Sequence, residues 1–188
     1  QRPAGWSASP PAIAGVAGTL CPIGCWRISS GMTGFIRMLM LAPLMVPTIV
    51  YALGIYQVWI ALGLVNTYTG IIIAHAVTGL PYVVITVSTA LAGFDPKLEQ
   101  AAPGLGASLG QTLRLVVIPN ILPGIVSGLI FAFIRSWDEL VIVLFIAGRS
   151  VCTLPRRMWD GINEHLDPTM AAVAAILILL TVLLLGLD

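Results

Sequence analysis

The chain has 188 residues, 58% of them hydrophobic and only 9% charged, with a formal net charge of +1. Soluble domains carry about 25% charged residues, so this much apolar surface excludes a water-soluble core and makes lipid the solvent for much of the chain. The near-zero net charge leaves no basic footprint for nucleic acid, and three cysteines make no paired disulfide framework.

In chain order, residues 1–34 are rich in Pro, Gly and Ser, with one apolar patch from Ala12 to Trp26. Gly15, Gly18, Pro22 and Gly24 interrupt the patch, which reads as the remnant of a span and takes no assigned structure. No basic stretch precedes a clean apolar core, which argues against a signal peptide. Cys21 and Cys25 form a C-x3-C pair, with Cys152 far away; apolar packing is the better reading than a metal site. The chain opens on Gln1 rather than Met and stops at Asp188 directly after an apolar run, so it reads as a fragment.

Met38 to Val65 contains no charged residue. About 20 residues cross the hydrocarbon core, so the run is expected to span with several residues to spare. Pro43 and Pro47, four apart, are expected to bend it. Tyr56 and Trp59 are placed as interface anchors near its far end, and Asn66 to Thr69 makes a polar turn. A second span is expected from about Gly70 to Leu91, with His75 and Pro81 as its exceptions. A buried histidine invites a proton-relay reading, but with no second ionisable group nearby a helix-packing hydrogen bond accounts for it better.

Leu98 to Pro123, LEQAAPGLGASLGQTLRLVVIPNILP, is a mixed segment held between spans, and it must therefore face water on one side of the membrane. Gly104, Gly106 and Gly110 imitate a phosphate loop, but no GK[ST] follows and no strand precedes them. Asp95 is expected to cap a helix opened by Pro96, Gly104 and Gly106 to turn the chain, and Ser108 to cap a second helix that Pro119 ends. A third span is expected from about Asn120 to Ile134, where Gly124-x-x-x-Gly128 allows close helix approach. Arg135, Asp138 and Glu139 interrupt it, an expensive grouping unless the charges reach water, a partner or a cavity. Leu140 to Ala147 resumes the apolar stretch, Gly148 to Pro168 is a polar connection, and Thr169 to Leu187 is the last expected span. Basic residues fall almost equally on the two sides, so the positive-inside rule does not orient the chain.

The mixed segment resembles the EAA loop of ABC importer permeases, whose pattern is E-A-A, three residues, G, nine residues, then I-x-L-P. Gln100, Ala101 and Ala102 are followed by Gly106 and then by Val116, Ile118 and Pro119 at the matching positions. Gln100 stands where the motif has Glu, with Glu99 just before it. The flanks AHAVTGLPYVVITVSTALAGFDPKLEQAA, SWDELVIVLFIAG and TLPRRMWDGINEHLDPTMAAV resemble spermidine/putrescine permeases, and the resemblance covers roughly Leu39 to Leu185.

The resemblance implies an all-α polytopic membrane protein with the type I ABC importer transmembrane fold. Four of six spans are recognisable; the first one or two would be lacking. Residues 1–34 would be a poorly matched N-terminal segment and 35–188 the permease domain, with its cytoplasmic coupling loop at about 93–119. The implied function is the permease subunit of an ATP-driven importer in a bacterial inner membrane, moving polyamines. It would be no enzyme and bind no cofactor or metal itself; ATP would be used by a separate ATPase. Its partners would be ATPase subunits, a second permease, an extracytoplasmic solute-binding protein and the lipid bilayer. The coupling residues implied are Glu99, Gln100, Ala101, Ala102, Gly106 and Ala107, and the turn at Asn66 and the connection at Gly148 would face outside. Asp138 and Glu139 form a candidate substrate path for a polycation, weighed against a structural ion pair with Arg135. Rival readings are a permease for iron, thiamine or sulfate, or more remotely a channel or an intramembrane enzyme. No second span carries the aspartate that intramembrane aspartyl catalysis needs.

Overall fold

The computed structural model describes residues 9–27, 31–147, 153–164 and 168–185, and every regular element among them is helical. The order is α1 (Ser9–Arg27), α2 (Gly31–Met45), α3 (Thr48–Leu62), α4 (Tyr68–Ala92), α5 (Pro96–Gly104) and α6 (Leu109–Thr112). A π-helical turn (Leu113–Val117) leads into α7 (Ile118–Trp137), followed by α8 (Val141–Ile146), α9 (Leu154–Glu164) and α10 (Pro168–Leu185).

The core forms around α4. Its 25 residues extend for about 37 Å at 1.5 Å per residue, enough to cross a bilayer. Its best apolar window is 61% buried, against 22% for the other long apolar helix, Leu109–Trp137, so α4 is the inner helix. These two are long and apolar enough to cross a membrane, and the bent pair Met32–Met45 and Thr48–Leu62 makes a third span if taken together.

Small residues set how closely α4 and α7 approach. Stepping by four along α4 meets a step of four in the opposite direction along α7: His75 faces Ser136, Gly79 faces Ala132 and Val83 faces Gly128. A methyl group on Gly124 would stand 2.6 Å from Ala90 Cβ and 2.9 Å from the Thr86 carbonyl oxygen. The Gly124/Gly128 pair thus seats α7 against α4 of the same chain, the small-residue contact that lipid-embedded helices use.

α1 completes this bundle. Gly18 lies against Val83 and Gly15 against Leu129, and Ala14 and Ile23 are buried with Val87, Leu91, Val117 and Ile121. The interrupted apolar patch in residues 1–34 is therefore a helix of the main core. In water its glycines weaken a helix, but here they are the contact surface.

The expected span from Met38 to Val65 is not one straight helix but a sharply bent pair. Pro47 lacks an N–H and drives Val46 out of helical geometry, so α2 ends at Met45, α3 starts at Thr48 and the two meet at 109°. Trp59 is not an interface anchor. It is 8% exposed, and its indole N–H donates to the Gly70 carbonyl oxygen at 3.0 Å, fastening α3 to α4. With Ala52, Ile71, Ala74, Ile142 and Ile146 it builds a second apolar cluster beneath α8. The Asn66 N–H donates to the Ile146 carbonyl oxygen at 3.0 Å, so the end of α8 and the 66–69 turn share one end of the bundle.

The third apolar helix also departs from expectation, because Pro119 does not stop it. The Ile118 N–H reaches back five residues to the Leu113 carbonyl oxygen, and the Asn120 side-chain amide donates to the Val116 carbonyl oxygen at 2.7 Å. A π turn, with Asn120 covering a carbonyl, carries the helix past the residue that breaks α-geometry. The run from Leu109 to Trp137 is continuous, and the span does not begin at Asn120. The last expected span corresponds to α10, which leans on α9.

Candidate functional site

Two polar constellations stand out, one at each end of the α4–α7 seam. At the end where α4 finishes, the Asp95 carboxylate accepts from the Lys97 N–H at 2.9 Å and caps α5, with Pro96 in its first turn. Gly106 takes φ +84°, and the Ala107 N–H returns to the Ala102 carbonyl oxygen at 3.1 Å, closing a tight elbow. Ser108 and Gln111 then form a capping box, each side chain accepting from the other's backbone N–H. Local chemistry alone therefore dictates helix, elbow, helix, as the sequence suggests.

The implied coupling residues divide on burial. Gln100, Ala101 and Gly106 are exposed, Ala107 is half-buried, and Ala102 is buried beneath the elbow. Leu105 is 88% exposed at the tip and Leu109 is also exposed, so the elbow offers an apolar, small-residue surface to the outside. Glu99 is partly buried, and one of its carboxylate oxygens pairs with Arg27 at the end of α1. Next to that pair the Trp26 and Phe94 rings meet edge-to-face at 5.7 Å. Nothing local in the sequence connects Arg27 or Trp26 with this segment.

At the opposite end, the three charges after Ile134 separate: two pair with each other and one is exposed. Asp138 is exposed. Glu139 is only 2% exposed; one oxygen accepts from the Ile142 N–H at 3.2 Å, capping α8, and the other pairs with Arg135. Arg135 also donates to the Thr48 hydroxyl at 3.3 Å, in the first turn of α3. A cavity of about 200 Å³ opens at this point, lined by Pro43, Leu44, Val46, Thr48, Tyr51, Thr78, Tyr82 and Arg135. Asp138 and Glu139 are thus neighbours in sequence but not a carboxylate pair in space. The hydroxyl-bearing lining of this cavity was not singled out in the sequence; its only local signal was the pair of prolines that make the break.

His75 Nδ1 stands 3.0 Å from Ser136 Oγ, a hydrogen bond across the seam, as the helix-packing reading expects. Cys21 and Cys25 line a cavity of about 300 Å³ with Trp26, Thr33, Arg37 and Ser88. Among the described residues no group of three His, Cys, Asp or Glu is placed to hold a metal ion. Cys152, Arg149 and Asp167 lie outside the described residues.

Residues 16–188 match the family profile described as "binding-protein-dependent transport system inner membrane component". The PotC permease of the spermidine/putrescine transport system of Haemophilus influenzae is 31% identical over 176 residues, covering 94% of this chain and 68% of that protein. Its Escherichia coli counterpart is 28% identical over 172 residues, with 92% of this chain and 65% of that protein covered. The Escherichia coli sulfate transport system permease protein CysT is 34% identical over 140 residues, covering 70% of this chain and 50% of that protein. The chain thus spans about two thirds of the length of the polyamine relatives and half of the sulfate relative.

Proposed function

We propose, from the premise that the chain belongs to the family of binding-protein-dependent transport system inner membrane components, that it is the permease subunit of an ATP-driven importer and that its solute is a polyamine. The observation that carries the transport reading is the exposed elbow between α4 and α7. A small-residue turn with Leu105 at its tip, held at the end of two antiparallel membrane-length helices, is a handle by which a soluble motor can move both. Gln100, Ala101, Gly106 and Ala107 form its contact surface for an ATPase, and Ala102 and Glu99 hold it to the bundle. The elbow then faces the cytoplasm. The 66–69 turn and the end of α8 face the opposite side, where a solute-binding protein delivers cargo. ATP is bound and used by the ATPase, and a second permease completes the pathway.

The polyamine assignment draws on the relatives named for spermidine and putrescine. Asp138, exposed beside the Arg135–Glu139 pair, supplies negative charge at the outward end of the seam. The sulfate relative supports a second reading, an importer of a small oxyanion. Two measurements on the assembled transporter test the proposal. A cysteine at Ala101 crosslinks to the ATPase in membranes, and proteoliposomes take up spermidine, with putrescine competing and sulfate not. Labelling of that cysteine only from the extracytoplasmic side removes the importer reading. Uptake of sulfate in place of spermidine removes only the polyamine one.

A further inference from the structure

We infer that the cavity at the α2–α3 break is a binding site for an ammonium group of the solute, and that Arg135 holds that place as a tethered cation while it is empty. The inference rests on the polyamine reading and deepens it.

Position comes first. Thr78 and Tyr82 are the eleventh and fifteenth of the 25 residues of α4, so the cavity lies at half depth in a helix of membrane length. Polar groups at that depth are costly unless they meet one another, water or a ligand. A helix break there leaves backbone groups of two half-helices open to the same space, which a bilayer tolerates only where protein or a water-filled cavity covers them.

The chemistry of the lining then selects a charge. The guanidinium of Arg135 points its donors at the Glu139 carboxylate and the Thr48 hydroxyl, both acceptors. Tyr51 and Tyr82 both line the same cavity, and aromatic side chains attract cations. The Tyr51 hydroxyl is already donating, to the Ala74 carbonyl oxygen at 3.1 Å, so towards the cavity it acts as an acceptor. These surroundings suit a positive charge, and the charge present belongs to the protein.

Glu139 decides between the ligand classes. Its carboxylate is buried, and leaving it without a counter-ion costs several kcal/mol. The first turn of α3 has no side-chain cap and opens on the same break, which taken alone suits an oxyanion. An oxyanion, however, would have to draw Arg135 away and strand Glu139. An incoming ammonium group replaces one cation by another, so the buried carboxylate is neutralised before, during and after exchange. The Arg135 side chain is 27% exposed and Asp138, exposed three residues further on, offers the displaced guanidinium a second carboxylate. The sequence R-S-W-D-E therefore provides one cation with two acids, one buried and one exposed.

The test is equilibrium binding of radiolabelled spermidine to the assembled, purified transporter without ATP or binding protein, with labelled sulfate in a parallel arm. Arg135→Gln removes the competitor for Glu139 and tightens spermidine binding about tenfold, while Arg135→Lys stays near the parent. Tyr82→Leu weakens binding about fivefold. An ion pair that serves structure alone predicts the reverse for Arg135→Gln, namely unchanged or weaker binding. Should that variant fail to assemble, Tyr82→Leu and Arg135→Lys decide. Parent-like affinity in Tyr82→Leu, or loss of binding in Arg135→Lys, overturns the site while spermidine uptake by the parent keeps the polyamine reading. A parent protein that binds and transports sulfate and no spermidine overturns both.

Discussion

Arg27, the last residue of α1, and Glu99, in the first turn of α5, form an ion pair across 72 positions of sequence. With the Trp26–Phe94 contact beside it, this pair ties the start of the elbow to the end of α1. Both side chains are about three-quarters buried. Breaking one partner therefore costs more than the ~0.2–1 kcal/mol of an exposed pair and approaches the penalty of an uncompensated charge. Arg27→Glu or Glu99→Arg alone is expected to lower solute uptake by the assembled transporter by about tenfold. The double reversal restores most of it, because the same two positions can pair with the charges exchanged. Uptake measured in the four-member cycle checks this; a double variant as poor as the worse single shows that the pair does not set the elbow.

The α4–α7 seam makes a prediction about stability. A methyl group on Gly128 would stand 2.8 Å from Val83 Cα, which is backbone and cannot yield without moving a helix. Gly128→Ala is expected to destabilise by about 1–3 kcal/mol, the usual cost of overpacking. Gly54 in α3 meets nothing within 4 Å, so Gly54→Ala removes only backbone freedom and gains about 0.5–1 kcal/mol. Thermal melts of the two variants in one detergent should move in opposite directions. A Gly128→Ala protein melting with the parent would mean that the seam is looser than this packing.

Much of this architecture was legible in residues whose effect is local. Asp95, Pro96, Ser108 and Gln111 announce the two caps of the elbow, and Gly124 and Gly128 announce a close helix contact. What stayed hidden depends on partners far along the chain. Gly15 and Gly18 read as interruptions until Leu129 and Val83 are seen against them. Pro119 reads as a stop because helix rules assume four-residue hydrogen bonds, and the five-residue bond from Ile118 evades them. Pro43 and Pro47 forecast a bend, but not that α3 beyond it packs on α8 through Ala52, Ile142 and Ile146. The fate of the three charges at Arg135, Asp138 and Glu139 was likewise undecidable locally: the spacing allows an ion pair, and only the fold buries one acid and exposes the other.

The elbow itself separates function from stability. Gly106 sits at φ +84°, a conformation that costs a residue with a Cβ about 1–2 kcal/mol. A methyl there meets nothing within 4 Å, so the penalty is purely backbone strain. Gly106→Ala is expected to re-aim the Leu105 tip while leaving the bundle intact. Uptake falls several-fold while the thermal melt shifts little, and Gly106→Asn, which tolerates this region better, keeps more uptake than Ala. Equal uptake in Gly, Asn and Ala proteins would show that the aim of the tip does not matter to the motor.

His75 and Ser136 give the last prediction. Their 3.0 Å hydrogen bond crosses the seam one helical turn from Gly79 and Ala132, and a contact of this kind is worth about 0.6 kcal/mol in a membrane bundle. Ser136→Ala should therefore lower stability only slightly. A relay role for His75 would make transport change with pH within about pH 5 to 8, where histidines serve as proton switches. A packing role predicts that uptake by His75→Gln follows the same pH profile as the parent at a somewhat lower amplitude. A profile that loses a limb in the variant would return the histidine to the transport pathway and place a proton alongside the solute.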